Sequence, residues 1–376
     1  MLLWLLVLIS APCAEGDSNS AYLVETLPRQ MDGIGPIDGV LKTGETLTKL
    51  VQGVQKTLDL TAMYWVLTTT VTPPCQPGQR NCPDEAGFSR DQLNTFGAQV
   101  GSGLYDAIVD AAKRGVHIRI IQAPGFGPDG NPESAALDKN FTNVEVRTVQ
   151  MEDWYNGGIM HQKLWVFDGE SGYVGSANQD WKSLAQVKEL GIAFYESPEV
   201  VTTLQQHFDV WWQFVSLNGS DYATMAHDYQ YDVNRTVPCW SHLSDSCTNP
   251  LVMPSTPQGN IESPHRVTLN DQPGNYYLSC SPPETCVANR SADEDSLVYT
   301  IKSAEKTVSI SVMDWIPASL YSDIPIFWDV LINAVTSVIN AKGISVRLLV
   351  SKWAHTNALL PPYLAAFQSL ANACKA

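Results

Sequence analysis

Two stretches of this chain repeat one another: Arg114-Gly115-Val-His-Ile-Arg119 is answered by Lys342-Gly343-Ile-Ser-Val-Arg347, and Trp65 is answered by Trp315. The patterns around each stretch follow the same order. Thr57 to Leu67 alternates as a strand, Gln92 to Arg114 has helical periodicity with Gly115 as its stop, and Val116 to Gln122 is a strand again. Leu297 to Ser303 (helix), Thr307 to Trp315 (strand), Phe327 to Ala341 (helix) and Lys342 to Val350 (strand) replay those units. Further segments fit the same alternation: a helix from Gly44 to Val54, strands at Val144 to Val149 and Glu189 to Tyr195, and a helix from Pro198 to Val215 with Pro at its start. The expected fold is therefore an α/β sandwich on a largely central sheet, internally duplicated.

The first copy carries the chemistry. In His161-Gln-Lys163-Leu-Trp-Val-Phe-Asp168 the apolar centre, Leu164 to Phe167, reads as a buried strand, which puts His161 and Lys163 two residues apart on one face. After the turn Gly169-Glu-Ser-Gly172, a short strand from Tyr173 to Gly175 brings Ser176 and Asn178 to the same end. A neutral imidazole can attack phosphorus, while an ammonium and an amide N–H₂ donate to the non-bridging oxygens. That chemistry implies no metal and no cofactor. A lone histidine beside a core strand is ordinarily structural, but five elements at fixed spacing outweigh that reading.

The spacing H-x-K-x₄-D-x₆-G-S-x-N resembles the HKD signature of the phospholipase D superfamily. The family places a carboxylate behind its catalytic histidine, and Glu189, in Val187-Lys-Glu189-Leu-Gly191, stands at the matching position to orient the ring. The segments Gly175 to Gly191 and Thr57 to Trp65 are similar to the animal group of phospholipase D3 and phospholipase D4, and the similarity runs from about Tyr22 to the end. The resemblance implies a phosphodiesterase with a phosphohistidine intermediate. It implies an endolysosomal 5′ exonuclease on single-stranded DNA or RNA, with phospholipid as the alternative substrate. His161 would be the nucleophile, Lys163, Asn178 and Ser176 the phosphate holders, and Asp168, at the far end of the strand, an organiser of the motif. Trp154, Tyr155 or Trp181 would stack bases if the substrate is nucleic acid. Members of the superfamily bring two such motifs together, one histidine attacking and the other protonating the leaving oxygen. Only one motif is present here, and the repeat offset puts its partner beyond Ala376. The second repeat is accordingly expected to be incomplete, with little hydrolytic activity from the monomeric chain. A homodimer could unite two motifs, although the half-repeat would occupy that surface. His355, His117, His265 and His242 lack the rest of the pattern and read as structural.

Composition bounds the setting. With 23 basic and 39 acidic residues the net charge is −16, which excludes a duplex-coating protein but not a small cationic pocket. Met1 to Ile9 is an apolar run too short to span a bilayer, so residues 1–16 read as a signal peptide or a clipped membrane anchor. Sequons at Asn140, Asn218, Asn234 and Asn289 support secretory entry, and with it an endoplasmic reticulum to lysosome route or secretion. Of eight cysteines, Cys75 and Cys82 flank a short loop, and Cys239, Cys247, Cys280 and Cys286 cluster, as loop-stapling disulfides would. Their spacings do not fit a tetrahedral zinc site. Residues 17–217 then form the first repeat, 218–292 a long irregular Cys/Pro-rich insertion, and 293–376 the partial second repeat.

Overall fold

The computed structural model describes residues 3–4, 19–31, 35, 37–79, 82–83, 85–126, 130–319, 326–353 and 356–373. Most of the expected signal segment, Cys13 and His355 lie outside the described residues.

Eight strands make the main sheet: β1 (Ser20–Thr26), β2 (Leu41–Lys42), β3 (Thr57–Ala62), β4 (His117–Gln122), β5 (Val144–Thr148), β6 (Leu164–Phe167), β7 (Ser171–Gly175) and β8 (Glu189–Tyr195). Their order is β2-β1-β8-β7-β6-β3-β4-β5. β3, β4 and β5 run parallel, while β6 is antiparallel to both neighbours, with Leu60 opposite Trp165 and Trp165 opposite Tyr173. Helices α1 (Thr43–Gly53) and α2 (Ala98–Lys113) cover one face, and α3 (Pro198–Phe214) covers the other. This is the expected α/β sandwich. The unbroken apolar run of β6 follows from burial on both faces. Trp165 and Phe167 pack toward Leu104 and Ile108 of α2, whereas Leu164 and Val166 pack toward Leu204 and Phe208 of α3.

The long helix expected from Gln92 to Arg114 is two helices. A first, Arg90–Phe96, is held by a capping box between Ser89 and Gln92 and ends at Gly97, whose φ of 102° only glycine adopts readily. Any Cβ there would sit 2.5 Å from that of Ala185. Continuous helical periodicity hid the break, because a single Gly is compatible with a helix pattern.

The expected irregular insertion is more ordered than its composition indicates. It holds two antiparallel hairpins, β9 (Ala223–Asp228) with β10 (Val233–Pro238) and β11 (His265–Leu269) with β12 (Gln272–Leu278). Leu3–Trp4 pairs with the edge of β12. Disulfides join Cys239 to Cys247 and Cys280 to Cys286, and outside the insertion Cys75 to Cys82. The second copy follows as α4 (Asp293–Ser303), β13 (Thr307–Val312), α5 (Val330–Lys342), β14 (Ser345–Val350) and α6 (Leu360–Ala373). β13 pairs with β14 in parallel, Thr307 opposite Ser345, as Thr57 lies opposite His117 in β3 and β4. Its core of Ile301, Val335, Val338 and Ile344 is separate from that of the main sheet. No described helix is long and apolar enough to cross a membrane.

Candidate active site

The motif enters β6 as extended chain, so alternate side chains take opposite faces. Lys163 is buried and His161 exposed, and Lys163 Nζ lies 2.7 Å from His161 Nδ1, 3.3 Å from Nε2 and 2.9 Å from the His161 carbonyl oxygen. A charged ammonium can only donate, so in the shorter contact, with Lys163 charged, Nδ1 of a neutral ring accepts. The Lys163 carbonyl accepts from the Gly175 N–H at 3.1 Å, which ties the β6 entry to the β7 exit. Gly175 is required there: a Cβ would lie 2.5 Å from Cζ of the fully buried Tyr173.

Beyond Gly175 the chain brings Ser176, Asn178 and Asp180 round the same end. Ser176 Oγ donates to Glu189 Oε2 at 2.5 Å and accepts from the Leu190 N–H at 3.0 Å. Asn178 Nδ2 donates to Tyr64 Oη at 3.5 Å, and Tyr64 donates to Asp180 Oδ2 at 2.9 Å. Asn178 Oδ1 is buried with no hydrogen-bond partner. Burial, more than any single neighbour, sets the protonation of this cluster. It lowers Lys163 to about 7, against the pull of Glu189, and raises Glu189, against Ser176, Ser183 and Lys163. Desolvation first, then Lys163, lowers His161 to about 4: the residue is exposed, yet its ring lies against enough protein to favour the neutral form. Tyr64 is raised by burial and then by Asp180. The result is an imidazole kept neutral beside a buried ammonium and an amide, at the open end of a sheet.

Asp168 is elsewhere. It turns the far end of β6 with φ of 53°, and its carboxylate accepts the backbone N–H groups of Gln55 (2.8 Å), Lys56 (2.7 Å) and Thr57 (2.9 Å). It fixes the start of β3 to the end of β6, an organising place.

Other expectations need correction. Glu189 makes no hydrogen bond with the His161 ring; β8 aims it at Ser176 and Ser183 instead. None of the expected stacking residues lines the site. Trp154 is buried against Phe214, with ring centroids 4.4 Å apart, Trp181 packs with Leu93 and Ala98, and Tyr155 donates to Glu284 at 2.8 Å. The aromatic pair beside the motif is Tyr64 with Phe126, 5.1 Å apart, and Phe126 is 63% exposed. Phe126 borders a pocket of 180 Å³ lined also by Met63, Gln150, Met151, Glu152 and Met160 among others, the last directly preceding His161 in sequence. Tyr64 belonged to a strand pattern in the sequence, and only the kink after Ala62 turns it to the site. His117 faces Glu145 at 3.4 Å and His265 packs on the Tyr276 ring, both away from the motif.

A histidine, lysine and asparagine at one sheet end, with this hairpin between them, define a site of the phospholipase D type. Residues 89–376 match the family described as PLD3/4, PLD-like domain, and the chain belongs to that family within the phospholipase D superfamily. It is 32% identical to Phospholipase D Z of Dictyostelium discoideum over 94% of this chain and 72% of that protein. It is 28% identical to the human 5′-3′ exonuclease PLD3 over 96% of this chain, and spans 63% of that relative's length. Among solved structures, Nuc of Salmonella typhimurium, a phospholipase D family member, aligns with 52% of this chain and 94% of its own, at 16% identity and a TM-score of 0.33.

Proposed function

We propose that this protein is a phosphodiesterase that attacks phosphorus with His161, and that its substrate is single-stranded nucleic acid. The carrying observation is the neutral His161 imidazole with the buried Lys163 ammonium 2.7 Å away. A phosphodiester arriving at this end gives that ammonium an anion to bind, and Lys163 then leaves the ring nitrogen free. The nitrogen forms a bond to phosphorus as the bond to the leaving oxygen breaks, and water later displaces histidine from phosphorus. Lys163 and the Asn178 amide hold the non-bridging oxygens while charge builds on them, with Ser176 behind them. The leaving oxygen takes its proton from a second group, the role that the superfamily gives to its other histidine.

Relatives named 5′-3′ exonuclease support the nucleic-acid reading, as does the Phe126 ring packed on Tyr64, the hydrogen-bond partner of Asn178, since base stacking on an exposed aromatic contributes about 1–3 kcal/mol. The Met63, Met151, Ile159 and Met160 side chains in the adjoining pocket, which also holds Gln150 and Glu152, are what a second reading, a phospholipid, would draw on. A 5′-hydroxyl single-stranded oligonucleotide, a phosphodiester chromogen and phosphatidylcholine vesicles, assayed side by side, separate them. Turnover of the oligonucleotide, with acid-labile phosphate trapped on His161, is expected. Cleavage confined to the vesicles would establish the lipid reading.

The setting we propose is the secretory pathway, ending in the endolysosomal lumen. The four sequon asparagines are all exposed, and three disulfides are formed among the described residues. Glycosidase digestion should shift the mobility of the protein expressed in animal cells; no shift, with every thiol alkylatable, would refute that route.

A further inference from the structure

Between the two site residues stands Gln162, and the strand alternation that turns His161 and Lys163 to one face turns Gln162 to the other, toward α3. There its Oε1 lies 2.9 Å from Nε2 of His207, which is 1% exposed. Nδ1 of His207 lies 3.3 Å from Nη1 of Arg290, which comes from the last turn of the insertion, a few residues beyond the Cys280–Cys286 disulfide. Arg290 is itself buried and has no carboxylate within ion-pair distance among the described residues. It donates to the Thr203 carbonyl at 3.0 Å and to Gln258 Oε1 at 2.8 Å.

The direction of every bond in this chain follows from one end. A guanidinium has no acceptor, so His207 Nδ1 must accept, and its proton is therefore on Nε2. Nε2–H then needs an acceptor, which fixes the Gln162 amide with its oxygen toward α3. Its nitrogen is left buried without a partner, a cost that an ordinary packing residue would not carry. Burial first, and Arg290 second, hold His207 neutral well below its usual range, so the polarity of the chain is insensitive to mild acid.

We propose that Arg290, His207 and Gln162 form a positioning relay through which the insertion holds the His161–Lys163 segment in its reactive orientation. The three are positioning residues; none touches the reacting atoms. The inference rests on the proposed reaction at His161, but it has a readout that does not need substrate. In ¹⁵N-histidine spectra of the full chain, His207 should keep the Nε2–H tautomer from pH 5 to 8. A protonated or Nδ1–H ring would overturn the relay.

Gln162→Leu keeps volume and removes the acceptor. In that variant the His161 titration should move upward toward ordinary histidine, and kcat should fall about 10- to 100-fold, as expected for a small misplacement, with KM within about threefold. His207→Gln can donate to Gln162 and accept from Arg290 as the imidazole does, and should retain most of the turnover. Wild-type His161 titration and kcat in Gln162→Leu would overturn the proposal, as would a His207→Gln no better than His207→Leu. Absence of any turnover in the unmodified protein would instead strike the proposed reaction and leave the titrations to decide the relay.

Discussion

Asp168 carries the last letter of the motif, and its geometry predicts a loss of stability rather than of chemistry when it is replaced. Its Oδ1 accepts from Lys56 and Thr57 and its Oδ2 from Gln55, all at 2.7–2.9 Å. A hydrogen bond to a charged group contributes about 1.5–3 kcal/mol net when sheltered. Gln55 and Lys56 are exposed, so water replaces part of what is lost, while Thr57 is half-buried. Alanine must also adopt the left-handed φ of 53°, adding about 1 kcal/mol. For Asp168→Ala the sum is about 2–4 kcal/mol, or about 3–5 °C in Tm for a chain of 376 residues. Asp168→Asn tolerates the backbone and still offers one oxygen to Lys56 and Thr57, but presents an N–H₂ to the Gln55 N–H, for about 1–2 kcal/mol. The measurements are a thermal melt and oligonucleotide turnover well below each variant's Tm. Turnover within about threefold of wild type is expected for both variants. A loss of about 10³-fold with an unchanged melt would instead place Asp168 in the chemistry.

His161→Ala should abolish turnover by several orders of magnitude while leaving the melt within about 1 °C, since the residue is exposed; near-normal kcat would end its assignment as nucleophile. Neutral His161 coexists with charged Lys163 between about pH 4 and about pH 7, so kcat/KM should form a bell with limbs there, and Lys163→Arg should lose the alkaline limb along with much of its activity. Both pKa values are depressed on folding, so the unfolded chain binds more protons from about 4 to 6.5 at His161 and from about 7 to 10.5 at Lys163. Stability contributed by these groups therefore rises with pH in each window, and denaturant titration of Lys163→Met should lack the upper rise. Gly175→Ala drives a methyl into Tyr173 and should cost about 1–3 kcal/mol by urea unfolding while displacing Ser176; a neutral result would contradict the packing. Phe126→Ala should raise KM for the oligonucleotide by about tenfold without changing the melt, and an unchanged KM would remove Phe126 from substrate binding.

Side chains in local register were legible in the sequence. His161 and Lys163 share a face because two residues of extended chain return to it, and Leu164 to Phe167 is apolar throughout because both faces of β6 are covered. The repeat around Gly115 and Gly343 was legible as two copies of the same helix and strand units, and the structure pairs the strands of each copy in parallel, β3 with β4 and β13 with β14. Contacts between distant segments were not legible. Glu189 has the right spacing for a histidine partner, but the antiparallel pairing of β8 with β7 delivers it to Ser176. Trp154 and Trp181 look like stacking residues until helix packing buries them, while Tyr64 and Phe126 become neighbours only through the kink after Ala62 and the loop after β4. Arg290, 83 positions from His207, carries no local signal at all. Backbone periodicity acts over a few residues and is written in composition, whereas the direction of a buried hydrogen bond depends on which donor the fold places at its far end.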